Sequence, residues 1–388
     1  MPKFILTADS HLRESQYGIF ERGRDFLDAL KQVVDLAATH KAIVLHAGDL
    51  LDTRDLKGPV AGHLHELDAY CISQKVRMLV IDGNHDHSDP PWSESLSSYR
   101  SLLNIAGGDA YGMHSLDHKT FVHEGVTISG LPFMSVTDFR ETVKTMPTAD
   151  ILMWHGMVAE VMGQSSQENL VSFKDLPPGK FKVFLVGDVH IPVVQDVAGT
   201  TCVSPGSTEL CSKSEPFNKS VQLLTVAERG SMKFDTLPIK TRKALGFRIM
   251  NEGDVAEVIG KLRALEGKAM VFVSHDPGVT DVDKRLRLAV DETKVILRCD
   301  QLDSLKLPPL PGATGDSGSR VFDSADLMVD AIMAEEILSP AEFLPTLLHD
   351  AALRQIATHM LGDSNPGAAL SAWAENRLLE LTTQTNVS

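Results

Sequence analysis

The sequence lacks the features that mark several classes of protein. No apolar run approaches the roughly 18 residues that a membrane span needs, which excludes a membrane protein. The first ten residues contain one short apolar run, Phe4-Ile5-Leu6, which is too short for the apolar region of a secretory signal. The four cysteines form no Cys-x-x-Cys pair, which argues against a structural zinc site or a disulfide scaffold. We therefore expect a soluble protein of a reducing compartment, namely the cytoplasm.

Positive charge is also scarce. The chain has 37 Lys and Arg against 52 Asp and Glu, a formal net charge of −15. Nucleic-acid binding driven by charge alone depends on basic contacts to phosphates. The composition therefore excludes a stand-alone binder of that kind, but it leaves open a nuclease that binds DNA with the help of a partner. The excess of acidic over basic residues is greatest in residues 321–388, which contain ten acidic side chains and two basic ones.

The length of 388 residues suggests two or three domains. In residues 1–240 short apolar runs alternate with helical patterns, as in an α/β sheet, and strand patterns without long helices after Gly125 predict a partly antiparallel portion. Residues 241–310 have the pattern of a small α/β module. A linker is predicted at 311–320, within a stretch rich in Pro, Gly and Ser, and amphipathic helices at 321–388. Those helices could pack on their own chain or dock on a partner.

Five polar clusters follow five of the apolar runs. Ligands of open α/β sheets bind beyond the carboxyl ends of the strands, so parallel neighbours would bring the clusters to one edge. Their carboxylates, imidazoles and single amide suit Mn²⁺, Fe²⁺ or Zn²⁺. No Gly-rich phosphate loop and no Ser–His–Asp order competes with them. The clusters are Asp9-Ser10-His11, Gly48-Asp49, Gly83-Asn84-His85-Asp86, His155-Gly156 and Gly187-Asp188-Val189-His190.

Each cluster taken alone has an ordinary structural explanation. Asp9 could cap a helix, Gly48-Asp49 could form a turn, and a buried His155 could simply be hydrogen-bonded. Five such clusters at five predicted strand ends favour a two-metal centre. The remaining histidines, His46 and His63 among them, are interpreted as structural.

The order Asp-Ser-His, Gly-Asp, Gly-Asn-His-Asp, Trp-His-Gly, Gly-Asp-Val-His resembles the calcineurin-like metallophosphoesterases over about residues 1–240. Three stretches, 47–53, 130–133 and 204–209, resemble the SbcD nucleases, the bacterial and phage counterparts of the meiotic-recombination-eleven nucleases. The resemblance implies an α/β fold, a metallophosphoesterase β-sandwich flanked by helices, with a small α/β capping domain that contacts DNA and a C-terminal helical tail. It also implies docking of that tail on an SbcC-type ABC ATPase, and a homodimer within a heterotetramer.

The family pattern further implies a ligand set for two divalent ions, Mn²⁺ or alternatively Mg²⁺. One ion would be held by Asp9, His11, Asp49 and His190, and the other by Asp49, Asn84, His155 and the residue at 188. The family usually has histidine at that last position. Asp188 is a harder ligand, so we expect a working second site with less tolerance of Zn²⁺. A vacant second site is the alternative.

The resemblance gives His85 the role of general acid at the leaving group. Asp86 follows His85 in the chain, and we expect it to orient His85 rather than to bind metal. The leading hypothesis is a Mn²⁺-dependent DNA exonuclease or endonuclease subunit of an SbcC–SbcD-type complex, acting on DNA ends in repair, recombination or replication. One alternative is a metallophosphoesterase for a small phosphodiester or a phosphoprotein. The other is an assembly subunit whose nuclease site is degenerate.

Overall fold

The computed structural model describes residues 1–53, 58–86, 111–162, 170–227 and 230–301. The predicted linker at 311–320 and the predicted helical region at 321–388 lie outside these residues. The described helices are α1 (Phe20–His40), α2 (Gly58–Ser73), α3 (Val136–Thr145), α4 (Glu252–Arg263) and α5 (Val282–Arg287), with a 3₁₀ turn at Phe173–Asp175. The described strands are β1 (Lys3–Thr7), β2 (Ile43–His46), β3 (Arg77–Val80), β4 (Gly112–Ser115), β5 (Lys119–His123), β6 (Val126–Leu131), β7 (Ile151–His155), β8 (Val183–Gly187), β9 (Val193–Val197), β10 (Thr200–Ser204), β11 (Lys219–Val226), β12 (Met232–Ile239), β13 (Lys243–Ile249), β14 (Ala269–His275) and β15 (Val295–Gln301).

The strands of the first 240 residues form two six-stranded sheets. The first has the order β12-β11-β1-β2-β3-β4 and the second the order β5-β6-β7-β8-β10-β9. Within the first sheet β1, β2, β3 and β4 are parallel, and β11 pairs antiparallel with β1. Within the second sheet β6, β7, β8 and β10 are parallel, and β5 and β9 pair antiparallel at the edges. The predicted mixture of parallel and antiparallel strands is confirmed.

The two sheets stack face to face around a shared apolar core. Side chains alternate along each strand, so Phe4 and Leu6 of β1 point to the same face. Both are fully buried in a cluster with Met153 of β7 and Leu185 of β8, which belong to the other sheet. This packing is the predicted β-sandwich.

Helices cover the outer faces of both sheets. Ile5, between Phe4 and Leu6, points the opposite way and packs with Phe26 and Leu30 of α1. The second sheet is covered by α3, whose Phe139 packs on Trp154 with ring centroids 4.5 Å apart. The helical pattern predicted between the first two apolar runs is α1, and its apolar residues Phe26, Leu30, Val33 and Ala37 form the buried stripe of the helix. The helix ends at His40, where Lys41 takes a left-handed backbone (φ 54°).

A third sheet has the order β13-β14-β15. Its strands and α4 and α5 occur where the small α/β module was predicted. The chain divides into two compact units, one of residues 1–247, 258–273 and 285–298, the other of 248–257, 274–284 and 299 onward. Both large sheets belong to the first unit. The predicted domain boundaries stay predictions. No described helix has the length and apolar character needed to cross a bilayer.

Candidate metal centre

The five predicted clusters all follow strands of the two large sheets. Asp9 and His11 follow β1, Asp49 follows β2, and Asn84 follows β3, all in the first sheet. His155 ends β7, and Asp188 and His190 follow β8, both in the second sheet. The expectation that one sheet edge carries all five clusters is wrong. The reason is that the chain splits its parallel strands between two stacked sheets, and each sheet supplies part of the set.

Four of the predicted ligands have a left-handed backbone. The φ angles are 52° at Asp9, 43° at His11, 53° at Asp49 and 82° at Asp188. Non-glycine residues rarely adopt this conformation, although Asp and His do so more often than most. At Asp9 and His11 the turn is fixed by backbone hydrogen bonds from their N–H groups to the carbonyls of Gly48 and Asp49, at 3.0 and 2.9 Å. The first two clusters therefore hold each other in place.

The first group of side chains comprises Asp9, His11 and Asp49, each offering a ligand atom within 4.8 Å of the others. All three residues are buried. The second carboxylate oxygen of Asp9 has no hydrogen-bond partner among the described residues, and its first accepts from the backbone N–H of Asp188 at 2.8 Å. Burial raises the pKa of Asp9 above its usual range. An orphaned, buried carboxylate oxygen beside an imidazole is the arrangement that a cation would complete.

His190 is fixed by a carboxylate behind it. Nδ1 of His190 lies 2.7 Å from Oε1 of Glu215, so Nδ1 donates and Nε2 presents its lone pair in the neutral ring. Nε2 of His190 lies 3.2 Å from Nε2 of His11. Burial opposes the charge of Glu215, but its bonds to His190 and Lys219 outweigh burial and lower its pKa to about 2. Glu215 is therefore an ionised positioning residue for His190.

His155 faces the other side of Asp49. Its Nδ1 lies 2.8 Å from the carbonyl oxygen of Ala47, which can only accept, so Nδ1 carries a hydrogen. Its Nε2 lies 2.9 Å from Oδ1 of Asn84 and 3.4 Å from Oδ1 of Asp49. Burial disfavours the charged ring, yet the hydrogen bond and charge of Asp49 and the charge of Asp9 raise the pKa of His155 to about 10. Two acceptor oxygens, from Asn84 and Asp49, lie near Nε2 of His155, while Nδ1 already carries a hydrogen. This arrangement calls for a positive charge at Nε2, either a second proton on the ring or a metal ion.

Asp49 joins the two groups. Its Oδ2 lies 3.6 Å from Nε2 of His11, and its Oδ1 accepts from the backbone N–H of His85 at 2.9 Å. Burial would raise the pKa of Asp49, but His155 and His11 lower it to about 2. Asp49 therefore has the position of a bridging carboxylate between two sites.

Asp188 lies at the same centre. It follows β8 directly, and its pKa is raised, mainly by burial, against the lowering effect of the His155 charge. Its backbone N–H is the donor to Asp9 described above. The two glycines nearest Asp49 allow this crowding. A Cβ on Gly48 would lie 2.4 Å from Nδ1 of His155, and one on Gly83 would lie 2.1 Å from Oδ1 of Asp49.

The predicted role of Asp86 requires a correction. Its carboxylate accepts from the backbone N–H groups of Leu50, Leu51 and Gly83, at 3.1, 2.8 and 2.9 Å. The His85 ring is instead held by the carbonyl oxygen of Asp52, 2.7 Å from Nδ1. Asp86 therefore fixes the loop that carries Asp49, because three backbone donors are available to it there. Burial and the charge of Asp49 raise the pKa of Asp86 to about 6.

Several residues at the centre were not predicted. Cys211 and Glu215 lie in the loop between β10 and β11, far along the chain from the ligands of the first sheet, and nothing in the local sequence distinguishes them. Asp52 lies in the stretch 47–53, but no role for it was predicted from the sequence. His46, interpreted as structural, is fully buried with Nε2 2.8 Å from Oγ of Ser10, between Asp9 and His11. Burial and the charge of His155 lower the pKa of His46 to about 3, so it is neutral.

Comparison with known proteins places this centre in a family. Residues 3–229 match the calcineurin-like phosphoesterase superfamily domain, which is more than half of the chain. The DNA double-strand break repair protein Mre11 of Haloferax volcanii is 30% identical over 225 residues, covering 55% of this chain and 47% of that protein. The protein of the same name from Methanocaldococcus jannaschii is 21% identical over 289 residues, covering 69% of this chain and 75% of that protein. The chain thus spans about half the length of the first relative and three quarters of the second. Vps29 of Entamoeba histolytica overlaps 61% of this chain at 14% identity with a TM-score of 0.28, too low to add an argument. The predicted fold and the resemblance to this family of phosphoesterases are confirmed.

Proposed function

The chain belongs to the calcineurin-like phosphoesterase superfamily, and from this premise we propose that it is a DNA nuclease that hydrolyses phosphodiester bonds with two divalent ions, Mn²⁺ by preference. The observation that carries the proposal is the convergence of four buried side chains, Asp9, His11, Asp49 and His155. Asp49 Oδ2 is 3.6 Å from His11, and Asp49 Oδ1 is 3.4 Å from His155. This is the placement required of a carboxylate shared by two ions.

The ligand sets follow from these contacts. We assign Asp9, His11, Asp49 and His190 to the first ion, and Asp49, Asn84, His155 and Asp188 to the second. The donor set fits divalent ions of intermediate hardness, because it combines carboxylate and amide oxygens with imidazole nitrogens. Asp188, in place of the histidine usual in the family, adds an oxygen ligand and so favours Mn²⁺ or Mg²⁺ over Zn²⁺. When bound, such a pair lowers the pKa of a coordinated water and polarises the phosphoryl oxygens.

His85 is the proposed general acid. Because Nδ1 donates to the carbonyl of Asp52, any proton that His85 exchanges with a substrate is held at Nε2. The backbone N–H of His85 is bonded to Asp49, which ties the position of the ring to the bridging carboxylate. Loss of a general acid of this kind typically costs about 10²–10⁴-fold in rate.

The choice of DNA as substrate rests on the named relatives. Both are called DNA double-strand break repair proteins, and the match to the second extends beyond the phosphoesterase domain. Exposed apolar side chains follow three parallel strands of the second sheet near the centre: Phe133 after β6, Met157 after β7 and Ile191 after β8. Phe133 lies 6.5 Å from the ring of His155, where a base of a single strand could stack on it. A small phosphodiester would need no such surface.

The net charge of −15 is unfavourable for binding DNA alone. We therefore propose that an SbcC-type ABC ATPase supplies part of the basic surface, with the predicted region 321–388 as its docking element. A homodimer of the nuclease chain within a heterotetramer completes the proposal. Residues 241–310 would be the capping domain on the DNA.

The test is Mn²⁺-dependent degradation of end-labelled linear duplex DNA by the wild type and by His85→Ala. His65→Ala is the matched control, because His65 is an exposed histidine on α2. We expect cleavage by the wild type and the control, and a loss of about 10²–10⁴-fold in His85→Ala with Mn²⁺ binding retained. Unchanged cleavage by His85→Ala would remove His85 from the mechanism.

Two further outcomes identify the alternatives. Hydrolysis of bis-p-nitrophenyl phosphate without cleavage of DNA, even after addition of an SbcC-type ATPase, would indicate a small-substrate phosphodiesterase. Absence of Mn²⁺ binding in the wild type would indicate an assembly subunit with a degenerate site.

A further inference from the structure

A sulfur ligand lies beside two of the imidazoles. Cys211, in the loop between β10 and β11, offers its thiol within 4.8 Å of one ring nitrogen each of His11 and His190. The chemistry proposed above makes no use of this thiol. The ligand set of that chemistry contains only oxygen and nitrogen, so a sulfur atom here changes which ions the centre can hold.

The imidazoles already have the spacing of a metal site. Their Nε2 atoms are 3.2 Å apart. Two nitrogens bound to one tetrahedral Zn²⁺, each at about 2.0–2.1 Å, are about 3.3 Å apart. With a Zn–S distance of about 2.3 Å, the sulfur would lie about 3.6 Å from each nitrogen. A thiol at the 4.8 Å limit of this group would need to approach each nitrogen by about 1.2 Å to become the third ligand.

The surroundings hold this group in place. Oε2 of Glu215 accepts from the backbone N–H of Cys211 at 3.1 Å, while its Oε1 holds His190. The same carboxylate thus orients one imidazole and anchors the segment that carries the sulfur. The thiol itself donates only a long hydrogen bond, 3.5 Å to the carbonyl of Glu209, which costs little to give up.

A second observation indicates that this space accepts a cation. Asp9 shares a group of ligand atoms with His11, is fully buried, and has an oxygen with no hydrogen-bond partner in the part of the chain that the structure describes. The negative charge of the Asp9 carboxylate, beside the two imidazoles, would stabilise a divalent ion. It also offsets the loss of hydration that the ion undergoes on entering a buried site.

We propose that Cys211 joins His11 and His190 as a thiolate ligand for a soft divalent ion, Zn²⁺ or Cd²⁺, as a second mode of occupancy of the centre. The thiol proton passes to solvent when the metal–sulfur bond forms. Thiolate ligands select soft ions, whereas the carboxylates select hard ones. Because His11 and His190 are shared, a soft ion bound there excludes the hard ion that they would otherwise hold. Micromolar Zn²⁺ would thus act as an inhibitor of a Mn²⁺-dependent reaction.

The experiment uses the full chain without added Mn²⁺ and does not depend on nuclease activity. Cd²⁺ is titrated into the wild type, Cys211→Ser and Cys299→Ser, and the ultraviolet thiolate-to-Cd²⁺ charge-transfer absorption is recorded. Cys299 is the matched control, because it is also a partly buried cysteine that forms no disulfide. We expect the absorption in the wild type and in Cys299→Ser. In Cys211→Ser it should be lost, with Cd²⁺ affinity reduced about tenfold or more. Mn²⁺ affinity should be equal in all three.

Absence of the absorption in the wild type, or its persistence in Cys211→Ser, would overturn the proposal. A second measurement covers the case in which Cys211→Ser folds poorly. One equivalent of Cd²⁺ should slow alkylation of Cys211 in the wild type, mapped by mass spectrometry, and leave Cys299 unaffected. Equal alkylation of Cys211 with and without Cd²⁺ would be decisive against it. Failure of the nuclease assay described above leaves these spectra unchanged, so the two proposals fail independently.

Discussion

Replacing Glu215 with Gln separates the two tasks of this buried carboxylate. Oε2 accepts from Oγ of Ser207, the backbone N–H of Cys211 and Nζ of Lys219, at 2.8, 3.1 and 2.7 Å. Among the described residues, Oε1 accepts from Nδ1 of His190 alone, at 2.7 Å. An amide has one acceptor oxygen, which we expect to face the three donors. Its NH₂ group then faces His190.

The consequence for the metal centre follows from the tautomer. Facing an NH₂ donor, Nδ1 of His190 must accept, so the ring hydrogen moves to Nε2, the nitrogen that points towards His11. That nitrogen then loses its free lone pair. We expect Mn²⁺ affinity to fall about 10–100-fold, the usual effect of losing the partner of a metal-binding histidine. The assay is the electron paramagnetic resonance signal of free Mn²⁺ during titration.

The consequence for stability involves a different residue. Nζ of Lys219 belongs to a side chain that is 3% exposed, and Glu215 is its only ion-pair partner among the described residues. Removing one member of a buried ion pair costs about 3–5 kcal/mol in the free energy of unfolding. In urea unfolding, Glu215→Gln should therefore be less stable by about that amount.

The double variant Glu215→Gln/Lys219→Met tests the separation. It removes the uncompensated charge and should recover much of the stability, but not the Mn²⁺ affinity. Wild-type Mn²⁺ affinity in Glu215→Gln would refute the tautomer argument. A Mn²⁺ affinity that recovers together with stability in the double variant would show that the first effect was only loss of folding.

Two further predictions concern a glycine beside the centre and the ion pairs between α1 and α2. Gly48→Ala should destabilise the protein by more than about 1 kcal/mol and weaken Mn²⁺ binding, because φ is +89° there and the new Cβ would lie 2.4 Å from Nδ1 of His155. Gly62→Ala, with open space on α2, should be neutral or stabilising in the same urea experiment. Hydrogen bonds from Arg24 and Lys31 of α1 lower the pKa of Glu66 to about 2. The stability that these bonds contribute is therefore fully present above the ordinary pKa of 4.5 and is lost as the pH falls towards 2. Glu66→Gln should therefore cost no more than about 1 kcal/mol at neutral pH, since the pair is partly exposed, and almost nothing near pH 2. An equal cost at both pH values would contradict this.

The parallel strands β4 and β10 were not predicted, whereas the sequence predicted the most deeply buried parallel strands, such as β1, β2, β7 and β8, because they are buried on both faces. Such strands consist of continuous apolar runs, as in Val183–Gly187, and polar residues mark where each one ends. The two antiparallel edge strands of the second sheet, β5 and β9, gave no such signal. In Lys119–His123 and Val193–Val197, exposed and partly buried residues alternate, and neither strand was predicted. α3 was also missed, although Ser135 caps it by accepting from the backbone N–H of Asp138.

The predicted ligands were identified from local sequence because each one lies directly after a strand. The partners that orient them were not, because their roles depend on how distant segments fold back. Glu215 is 25 residues from His190 in the chain, and Asp86 acts on the backbone of residues 35 and 36 positions before it. Adjacency suggested that Asp86 serves His85. The folded chain offers it three backbone N–H donors instead, and a buried carboxylate takes the donors that neutralise it best.

Because the proposed ligands are divided between two sheets, an ion held by them would act as a reversible cross-link. Asp9, His11, Asp49 and Asn84 belong to the sheet that contains β1, and His155, Asp188 and His190 belong to the other. An ion that binds only the assembled pair adds its binding free energy to the packing of the sandwich, about 2.7 kcal/mol at a hundred times its dissociation constant. In this respect the centre resembles a disulfide between the two layers, except that its strength is set by the free ion concentration. With such an ion bound, the conformational stability of the sandwich would be coupled to the supply of that ion.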